Sequence, residues 1–269
     1  MLNNGMLFLL LLFAHLLGDF YFQPQKLADR KEKKYSAGML HSLIYAAFIG
    51  LAAAIVDAPW WVFVIASLAY WLIDSLKFAL RNKNFPKAKV FITDQALHLL
   101  TILLLSWFSP SAVLRIWTAP LSENFWAWLV LIFLISKPVN ISMGILFSKY
   151  SNAAKEERKK QLEKTEEHRT QTIEKPENQE ASKEEKIASQ EVEGAGALIG
   201  LFERIFVIIF VALGQYSAMS LLIAAKSLAR FDRITKNQAF AEYYLIGTLF
   251  SILFALLAYL FIFKLIVQA

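Results

Sequence analysis

Long apolar runs alternate with short polar segments along most of the chain, and this alternation predicts membrane-spanning helices. A helix of about 20 predominantly apolar residues is long enough to cross the hydrocarbon core of a bilayer. Eight apolar runs occur, near residues 2–22, 37–56, 60–80, 90–108, 123–147, 198–213, 215–229 and 241–267. The pattern predicts an all-α, polytopic membrane protein of about eight transmembrane helices, in which the short seventh run is either a crossing or a re-entrant segment.

A polar segment separates five runs from three. Residues 151–193 are rich in Lys, Glu and Gln and poor in aromatic and branched apolar residues, so they bury too little apolar surface to offset the entropy of ordering. We expect a largely disordered linker, with at most a fraying helix over residues 153–169. The chain then divides into an N-terminal membrane block (1–150), the charged linker (151–193) and a C-terminal membrane block (194–269).

The composition supports membrane insertion, and the distribution of basic residues predicts the membrane topology. Hydrophobic residues make up 57% of the chain, which is typical of an integral membrane protein. Basic residues concentrate in the segments after the first, third, fifth and seventh runs, so the positive-inside rule places these segments and the linker in the cytoplasm and both termini outside. The first run lacks the basic flank and cleavage site of a signal peptide, and we expect a retained helix. The net charge of +6 is therefore explained by basic residues in the cytoplasmic loops, and we expect no nucleic-acid partner.

Acidic and imidazole side chains recur inside the first four runs at helical spacing. The pairs His15/Asp19 and Asp94/His98 are each four residues apart, so both members project from one face of a helix. An acidic residue at the centre of a membrane helix costs about 2.5–3.5 kcal/mol on insertion scales, and such residues usually pair, line a cavity or bind an ion. The predicted topology places one set of side chains at the cytoplasmic ends of their helices: Asp19, His41, Asp74, Lys77, Asp94 and His98.

The candidate chemistry is metal binding. The chain has no cysteine, so a metal site must use nitrogen and oxygen ligands, and imidazole with carboxylate suits zinc or a similar divalent ion. The predicted metal ligands are His15, Asp19, His41, Asp74, Asp94 and His98. A bound ion activates water for hydrolysis, and a nearby cation can hold an anionic substrate oxygen. The predicted catalytic residues are Lys77, Asp94, Glu203 and Arg204.

Each candidate also has a structural alternative. Residues four apart can form helix-packing hydrogen bonds, residues at helix ends can lie in interfacial water, and Asp74 with Lys77 has the spacing of a salt bridge. Basic residues of the C-terminal block can extend to lipid phosphates. For Lys226 and Arg230 we predict such an anion-binding or lipid-binding site.

The polar motifs of both blocks resemble those of a known family. The motifs are His15-x3-Asp19, His41, Asp74-x2-Lys77-Phe78, Asp94-Gln95-x2-His98, Gly200-x-x-Glu203-Arg204, Lys226-Ser227-x-x-Arg230 and Glu242-Tyr243. They resemble the bacterial membrane family called domain of unknown function 3307, which implies a bacterial inner-membrane location and brings no established activity. The first block is also similar to YdjM-like inner-membrane proteins, which are classed as metal-dependent hydrolases on inferred His and Asp ligands.

Three functions remain open from the sequence. The first is a metal-dependent hydrolase that acts on a phosphate-bearing or lipid-linked substrate at the cytoplasmic leaflet. The second is a proton-coupled or metal-coupled transporter, which is weakened because the polar residues gather at one face instead of tracing a path across the membrane. The third is a non-catalytic scaffold that recruits a partner through the linker. We favour the hydrolase. We predict zinc as its cofactor and membrane lipid as its partner.

Overall fold

A computed structural model of the chain describes residues 5–24, 27, 30–31, 34–80, 85–110, 112–114, 122–172 and 194–267. Part of the predicted linker (173–193) lies outside the described residues, as do four residues of the predicted basic loops: Lys26, Lys33, Arg81 and Lys83. Apart from one two-residue ladder, the described residues with regular structure are helical. The all-α prediction is confirmed.

The first compact unit comprises Met1–Ile145 and Leu256–Ala269. Its helices are α1 (Gly5–Leu16), α2 (Tyr35–Ile55), α3 (Trp60–Ala79), α4 (Lys87–Phe108), α5 (Glu123–Ile135) and nearly all of α6 (Lys137–Leu146). Helix α1 continues into a π-helical segment, Leu17–Tyr21, and another π-helical segment, Phe261–Val267, follows the last helix of the chain.

Helix boundaries in this unit follow local chemistry. Helices α3 and α4 begin directly after Pro59 and Pro86, since proline has a fixed φ that suits a helix start. The Ser122 hydroxyl accepts a hydrogen bond from the backbone N–H of Phe125 at 3.3 Å and caps α5. The break between α5 and α6 falls at Lys137-Pro138, where the proline predicts a kink.

The second compact unit comprises Leu146–Ala255. It contains α7 (Ser148–Thr172), α8 (Ala195–Ala212), α9 (Tyr216–Leu228), α10 (Phe231–Lys236) and most of α11 (Gln238–Leu260). Helix α7 is longer than the fraying helix that the linker sequence predicts. Its Gln161 side chain donates to the carbonyl of Lys236 at 3.1 Å, and its Glu157 carboxylate accepts from the backbone N–H of Ala239 at 3.2 Å. These contacts join α7 to the last residue of α10 and the first turn of α11.

Among the described residues, six helical segments are long and apolar enough to cross a membrane. They are Tyr35–Ile55, Trp60–Ala79, Lys87–Phe108, Glu123–Leu146, Ala195–Ala212 and Gln238–Val267. The first and seventh predicted runs appear as shorter apolar helices, Gly5–Tyr21 and Tyr216–Leu228. The chain is thus an all-α protein with several apolar helices of membrane-spanning length.

Helix α1 is the core of the first unit. It packs against α2, α4 and α5, and the side chains of Leu7, Phe8 and Leu9 are fully buried. A helix that is apolar on all sides is stable only when other helices surround it. A two-residue antiparallel ladder, Val56–Asp57 with Val113–Leu114, places the C-terminal ends of α2 and α4 at one end of the unit. The polar side chains of the first four helices gather toward the opposite end.

Candidate metal centre

Four helical segments of the first unit each present two functional side chains spaced four residues apart. The pairs are His15/Asp19 from α1 and its π-helical extension, His41/Tyr45 from α2, Tyr70/Asp74 from α3 and Asp94/His98 from α4. Because consecutive helices run in opposite directions, the order within the pairs alternates and the side chains sort into two levels. We call Asp19, His41, Asp74 and Asp94 the carboxylate layer, and His15, Tyr45, Tyr70 and His98 the ring layer.

In the carboxylate layer, His41 lies beside two aspartates and hydrogen-bonds one of them, Asp19. His41 Nε2 lies 3.2 Å from Asp19 Oδ1 and 3.8 Å from Asp74 Oδ2. His41 is fully buried, and Asp74 and Asp94 expose no more than 8% of their surface. Carboxylates in such an environment need a cation or hydrogen-bond donors nearby, because burial removes the water that stabilises their charge.

Two lysines supply positive charge to this layer. Lys31 Nζ lies 2.5 Å from Asp74 Oδ1, and Lys77 Nζ donates to Asp94 Oδ2 at 2.8 Å. The Lys31 side chain is 13% exposed and that of Lys77 is 35% exposed, so both reach the layer from its rim. Asp74 and Lys77 therefore do not form the predicted i,i+3 salt bridge with each other, because each finds a partner on another segment.

The ring layer closes the pocket beneath the carboxylates. Successive ring centroids are 5.9 Å apart for His15 and Tyr45, 4.5 Å for Tyr45 and Tyr70, 4.4 Å for Tyr70 and His98, and 5.1 Å for His98 and His15. Each of these four buried rings therefore neighbours the next, and the fourth neighbours the first. The two lysines contact the carboxylates Asp74 and Asp94.

One helical turn farther from the lysines, the same four helices present only aliphatic side chains. The residues four positions beyond the ring layer are Leu11, Ile49, Ala66 and Ile102, and each is at most 3% exposed. We call these residues the aliphatic layer. One helical turn beyond the rings, buried hydrocarbon therefore follows the polar cluster on each of the four helices.

Gln95 connects the two polar layers. Its amide nitrogen donates to Asp19 Oδ2 at 2.7 Å, and its amide oxygen lies 3.2 Å from His15 Nε2. A neutral His15 therefore carries its proton on Nε2, and its Nδ1 accepts a hydrogen bond from the Tyr45 hydroxyl at 3.1 Å. Both nitrogens of His15 are thus occupied, and the side chain orients Asp19 through Gln95.

Three of the six predicted ligands come within ligand range of one another. Asp19, Asp94 and His98 each offer a ligand atom, and these atoms lie within 4.8 Å of one another. Asp94 Oδ1 has no hydrogen-bond partner among the described residues and lies 3.8 Å from His98 Nε2, while Asp94 Oδ2 is fixed by Lys77. Asp94 therefore has one carboxylate oxygen held by Lys77 and one oxygen that could serve as a ligand atom. The remaining three, His15, His41 and Asp74, surround this group.

Four further residues of the cluster were not predicted as site residues: Lys31, Tyr45, Tyr70 and Gln95. Tyr45 follows His41 by four residues and Tyr70 precedes Asp74 by four, so the helical spacing that identifies the histidines and aspartates also indicates both tyrosines. Gln95 is adjacent to Asp94 and points from α4 toward α1. Lys31 carries no comparable signal, because it is one of several basic residues before α2.

The π-helical segment and Gly18 fit this packing together. The Phe22 N–H bonds to the carbonyl of Leu17 at 2.8 Å, which is the wider π-type turn, and π-helical turns are frequent at functional sites. A Cβ at Gly18 would lie 2.7 Å from Cε1 of Tyr45, closer than real side chains approach. Only glycine at this position lets Tyr45 reach the ring layer.

The predicted residues of the C-terminal block belong to the second unit. Lys226 Nζ lies 2.5 Å from Glu203 Oε2 and 5.4 Å from the centre of the Tyr244 ring. Arg204 is 2% exposed and donates from Nη1 to the Ser251 hydroxyl at 3.1 Å. Arg230 precedes α10 as its N-cap residue. Glu203, Arg204 and Lys226 are therefore engaged with partners inside their own unit.

The segment that contains the candidate site matches a known family. The family is described as "Protein of unknown function (DUF3307)", and its model matches residues 7–125. The match includes every residue of the carboxylate and ring layers, and it supports the resemblance inferred from the N-terminal motifs. It ends before the second unit, so the resemblance of the C-terminal motifs stays a prediction. No curated protein and no solved structure matches the chain significantly.

Proposed function

We propose that the protein is a metal-dependent hydrolase of the bacterial inner membrane, acting on a phosphate-bearing or lipid-linked substrate at the cytoplasmic leaflet. The observation that carries this proposal is the buried group of Asp19, Asp94 and His98, whose ligand atoms lie within 4.8 Å of one another beside the ammonium group of Lys77. A site that combines acidic ligands with an adjacent cation has the two elements that hydrolysis of an anionic ester requires.

The residues fit a divalent ion, and zinc fits them best. Two carboxylates and one imidazole form a three-ligand set of the catalytic type, which leaves a position open for water or substrate. The free oxygen of Asp94 is the structural sign of this capacity. When bound, such an ion polarises a phosphoryl oxygen and supplies a nucleophilic water near neutral pH.

The other side chains of the cluster have supporting roles in this proposal. Lys77 orients Asp94 and is positioned at the rim to neutralise an anionic substrate oxygen. His41 and Gln95 both hydrogen-bond Asp19 and fix its carboxylate, as groups around metal ligands commonly do. His15 acts through Gln95. Glu203 and Arg204 contact Lys226 and Ser251 within the second unit, and their catalytic role stays a prediction.

The proposal includes a membrane topology. Eight crossings arranged as five plus three would count the two shorter apolar helices, Gly5–Tyr21 and Tyr216–Leu228, together with the six longer segments. The linker would then lie in the cytoplasm, both termini would face outward, and the two lysines beside the carboxylate layer would face the inner leaflet. A relation to the YdjM-like metal-dependent hydrolases is part of the same proposal.

The aliphatic layer next to the rings favours hydrolysis over transport. A carrier needs polar groups or water along a path through the membrane, whereas here the ring layer is followed by the aliphatic layer on all four helices. Ions or protons that reach the carboxylates from the lysine side meet buried hydrocarbon beyond them. This arrangement supports a reaction at one membrane face.

The direct test combines metal analysis with turnover. The purified protein is loaded with zinc, dialysed and analysed for bound metal, and release of phosphate from a phosphate-bearing lipid is measured before and after chelation. We expect about one zinc per chain in the wild type and little in Asp94→Ala and His98→Ala, with turnover lost in both variants. Glu203→Gln is the matched control and should keep its zinc. A wild-type protein that retains no zinc, or an Asp94→Ala variant that hydrolyses at the wild-type rate, would refute the proposal.

A further inference from the structure

The break between α5 and α6 leaves backbone carbonyls without helical partners inside an apolar segment. Helix α5 ends at Ile135, and α6 begins at Lys137 and continues with Pro138, which has no N–H to donate. The whole segment Glu123–Leu146 is long and apolar enough to cross a membrane. The last carbonyls of a helix have no partner within it, and the hydrocarbon of a bilayer offers none. These carbonyls therefore need hydrogen-bond donors from side chains.

Two hydroxyl groups supply such donors. The Ser136 hydroxyl donates to the carbonyl of Ile132 at 2.6 Å, within the same segment. The Tyr21 hydroxyl donates to the carbonyl of Phe133 at 2.9 Å. The backbone N–H of Ser136 also points to the Phe133 carbonyl, at the longer distance of 3.4 Å. The break thus provides an acceptor for a side chain that comes from the end of α1.

The ring of Tyr21 is held at the same place. Its centroid lies 4.8 Å from the centroid of the Phe133 ring, and the Lys137 ammonium lies 4.9 Å from it. Aromatic rings attract each other at such distances, and a cation is attracted to the face of a ring. Three contacts therefore join Tyr21 to the break, through its hydroxyl, its ring edge and its ring face.

The carboxylate of Asp19 projects from the same π-helical segment as Tyr21. It accepts a hydrogen bond from Gln95 Nε2 at 2.7 Å and lies 3.2 Å from His41 Nε2. The segment Leu17–Tyr21 is therefore fixed on two sides, at the metal centre through Asp19 and at α5 through Tyr21. Because π-helical turns are rare and wider than α-helical turns, relaxation of this turn would move the Asp19 carboxylate.

We propose that Tyr21 is a positioning residue for the metal ligand Asp19, and that its hydrogen bond to the Phe133 carbonyl keeps the π-helical turn in place. This inference rests on the proposed function and adds how one of its three ligands is held. The Lys137-Pro138 break takes part in the same arrangement. In a continuous α-helix the Phe133 carbonyl would bond the N–H four residues later, on Lys137, and would compete with the Tyr21 hydroxyl.

Two variants remove this anchor in different ways, and a third is the matched control. Tyr21→Phe keeps the ring and removes the hydroxyl. Pro138→Ala lets α5 continue into α6, so that the backbone N–H of Lys137 occupies the carbonyl. In the control, Tyr259→Phe, another tyrosine of the first unit loses its hydroxyl. The Tyr259 ring also faces α5, with its centroid 6.3 Å from that of Trp128.

The experiment compares the detergent-purified variants by chelator competition for zinc, by thermal unfolding and by hydrogen–deuterium exchange of residues 17–22 in the metal-free protein. We expect Tyr21→Phe and Pro138→Ala each to bind zinc about fivefold more weakly and to exchange about fivefold faster over residues 17–22. Tyr259→Phe should match the wild type in both measurements. Because alanine favours a helix interior far more than proline does, Pro138→Ala should unfold at the wild-type temperature or above it.

The opposite signs in Pro138→Ala separate positioning from stability. A residue that only stabilised the fold would change zinc affinity and unfolding temperature in the same direction. The proposal is wrong if Tyr21→Phe keeps the zinc affinity of the wild type, or if Tyr259→Phe loses as much. A wild type without zinc refutes the hydrolase, whereas unchanged exchange over residues 17–22 in Tyr21→Phe refutes the anchoring of the turn.

Discussion

In the first unit three aspartates share two lysines and a set of histidines, whereas in the second unit Glu203 pairs with Lys226 and Arg204 bonds the hydroxyl of Ser251. Both units bury charged side chains in apolar helices. The cluster of the first unit has three aspartates to two lysines, and Asp94 Oδ1 has no hydrogen bond among the described residues, whereas the Glu203 carboxylate of the second unit is paired with Lys226. The balance of charge is therefore the feature on which the proposed metal centre differs from the ion pair of the second unit.

The largest expected difference between the units concerns zinc affinity. Asp19→Asn keeps the size of the side chain but removes its negative charge, and we expect zinc to bind about a thousandfold more weakly. Glu203→Gln makes the equivalent change in the second unit and should leave zinc affinity within about threefold of the wild type. Competition with a chelator of known affinity measures both. Comparable losses in the two variants would mean that the units do not differ in this way.

Packing provides a second comparison, with a smaller effect. Alanine at Gly18 places its Cβ 2.7 Å from the Tyr45 ring, and because that ring is fixed in the ring layer we expect a loss of about 1–3 kcal/mol in the free energy of unfolding. Alanine at Gly200 places its Cβ 3.2 Å from Nη1 of Arg204, the end of a long side chain that can shift.

For Gly200→Ala we expect a change below about 1 kcal/mol, since the higher helix propensity of alanine offsets the contact. Unfolding of the two variants in the same detergent, followed by tryptophan fluorescence, gives both values. A destabilised Gly200→Ala together with an unaffected Gly18→Ala would show that the second unit is the more tightly packed one.

The apolar runs and the spacing of polar residues predict much of this molecule. Run length predicts helices, Pro59 predicts where α3 begins, and Lys137-Pro138 predicts the break after α5, whereas α4 begins at Lys87, three residues before the predicted run. The i,i+4 pairs predict that histidines and aspartates of α1, α2, α3 and α4 converge, because spacing on a helix determines which side chains share a face.

The partners within the cluster depend on tertiary contacts and could not be predicted. Lys77 pairs with Asp94 on α4 and not with Asp74 on its own helix, since interhelical distance overrides local spacing. Lys31 is identical in type to its basic neighbours, and only the fold brings it to Asp74. The π-helical turn after His15 likewise depends on close packing around Gly18.

The smallest effect should follow from removing one hydroxyl in each unit. Tyr45→Phe keeps the ring but removes the hydrogen bond to His15 Nδ1, and we expect a loss of about 1 kcal/mol in stability. Because His15 orients Asp19 through Gln95, zinc affinity should also fall, by about tenfold. Ser251→Ala removes the acceptor of Arg204 Nη1 and should cost about 1–2 kcal/mol while zinc affinity stays constant.

The two readouts together separate a positioning role from a purely structural one. Thermal unfolding reports the hydrogen bond that each variant loses, and chelator competition reports whether that bond is coupled to the proposed ligands. A Tyr45→Phe protein with reduced stability and unchanged zinc affinity would show that the ring layer only packs beneath the carboxylates. Loss of zinc affinity in Tyr45→Phe but not in Ser251→Ala would instead place Tyr45, His15 and Gln95 in one chain of hydrogen bonds that holds Asp19 in its binding orientation.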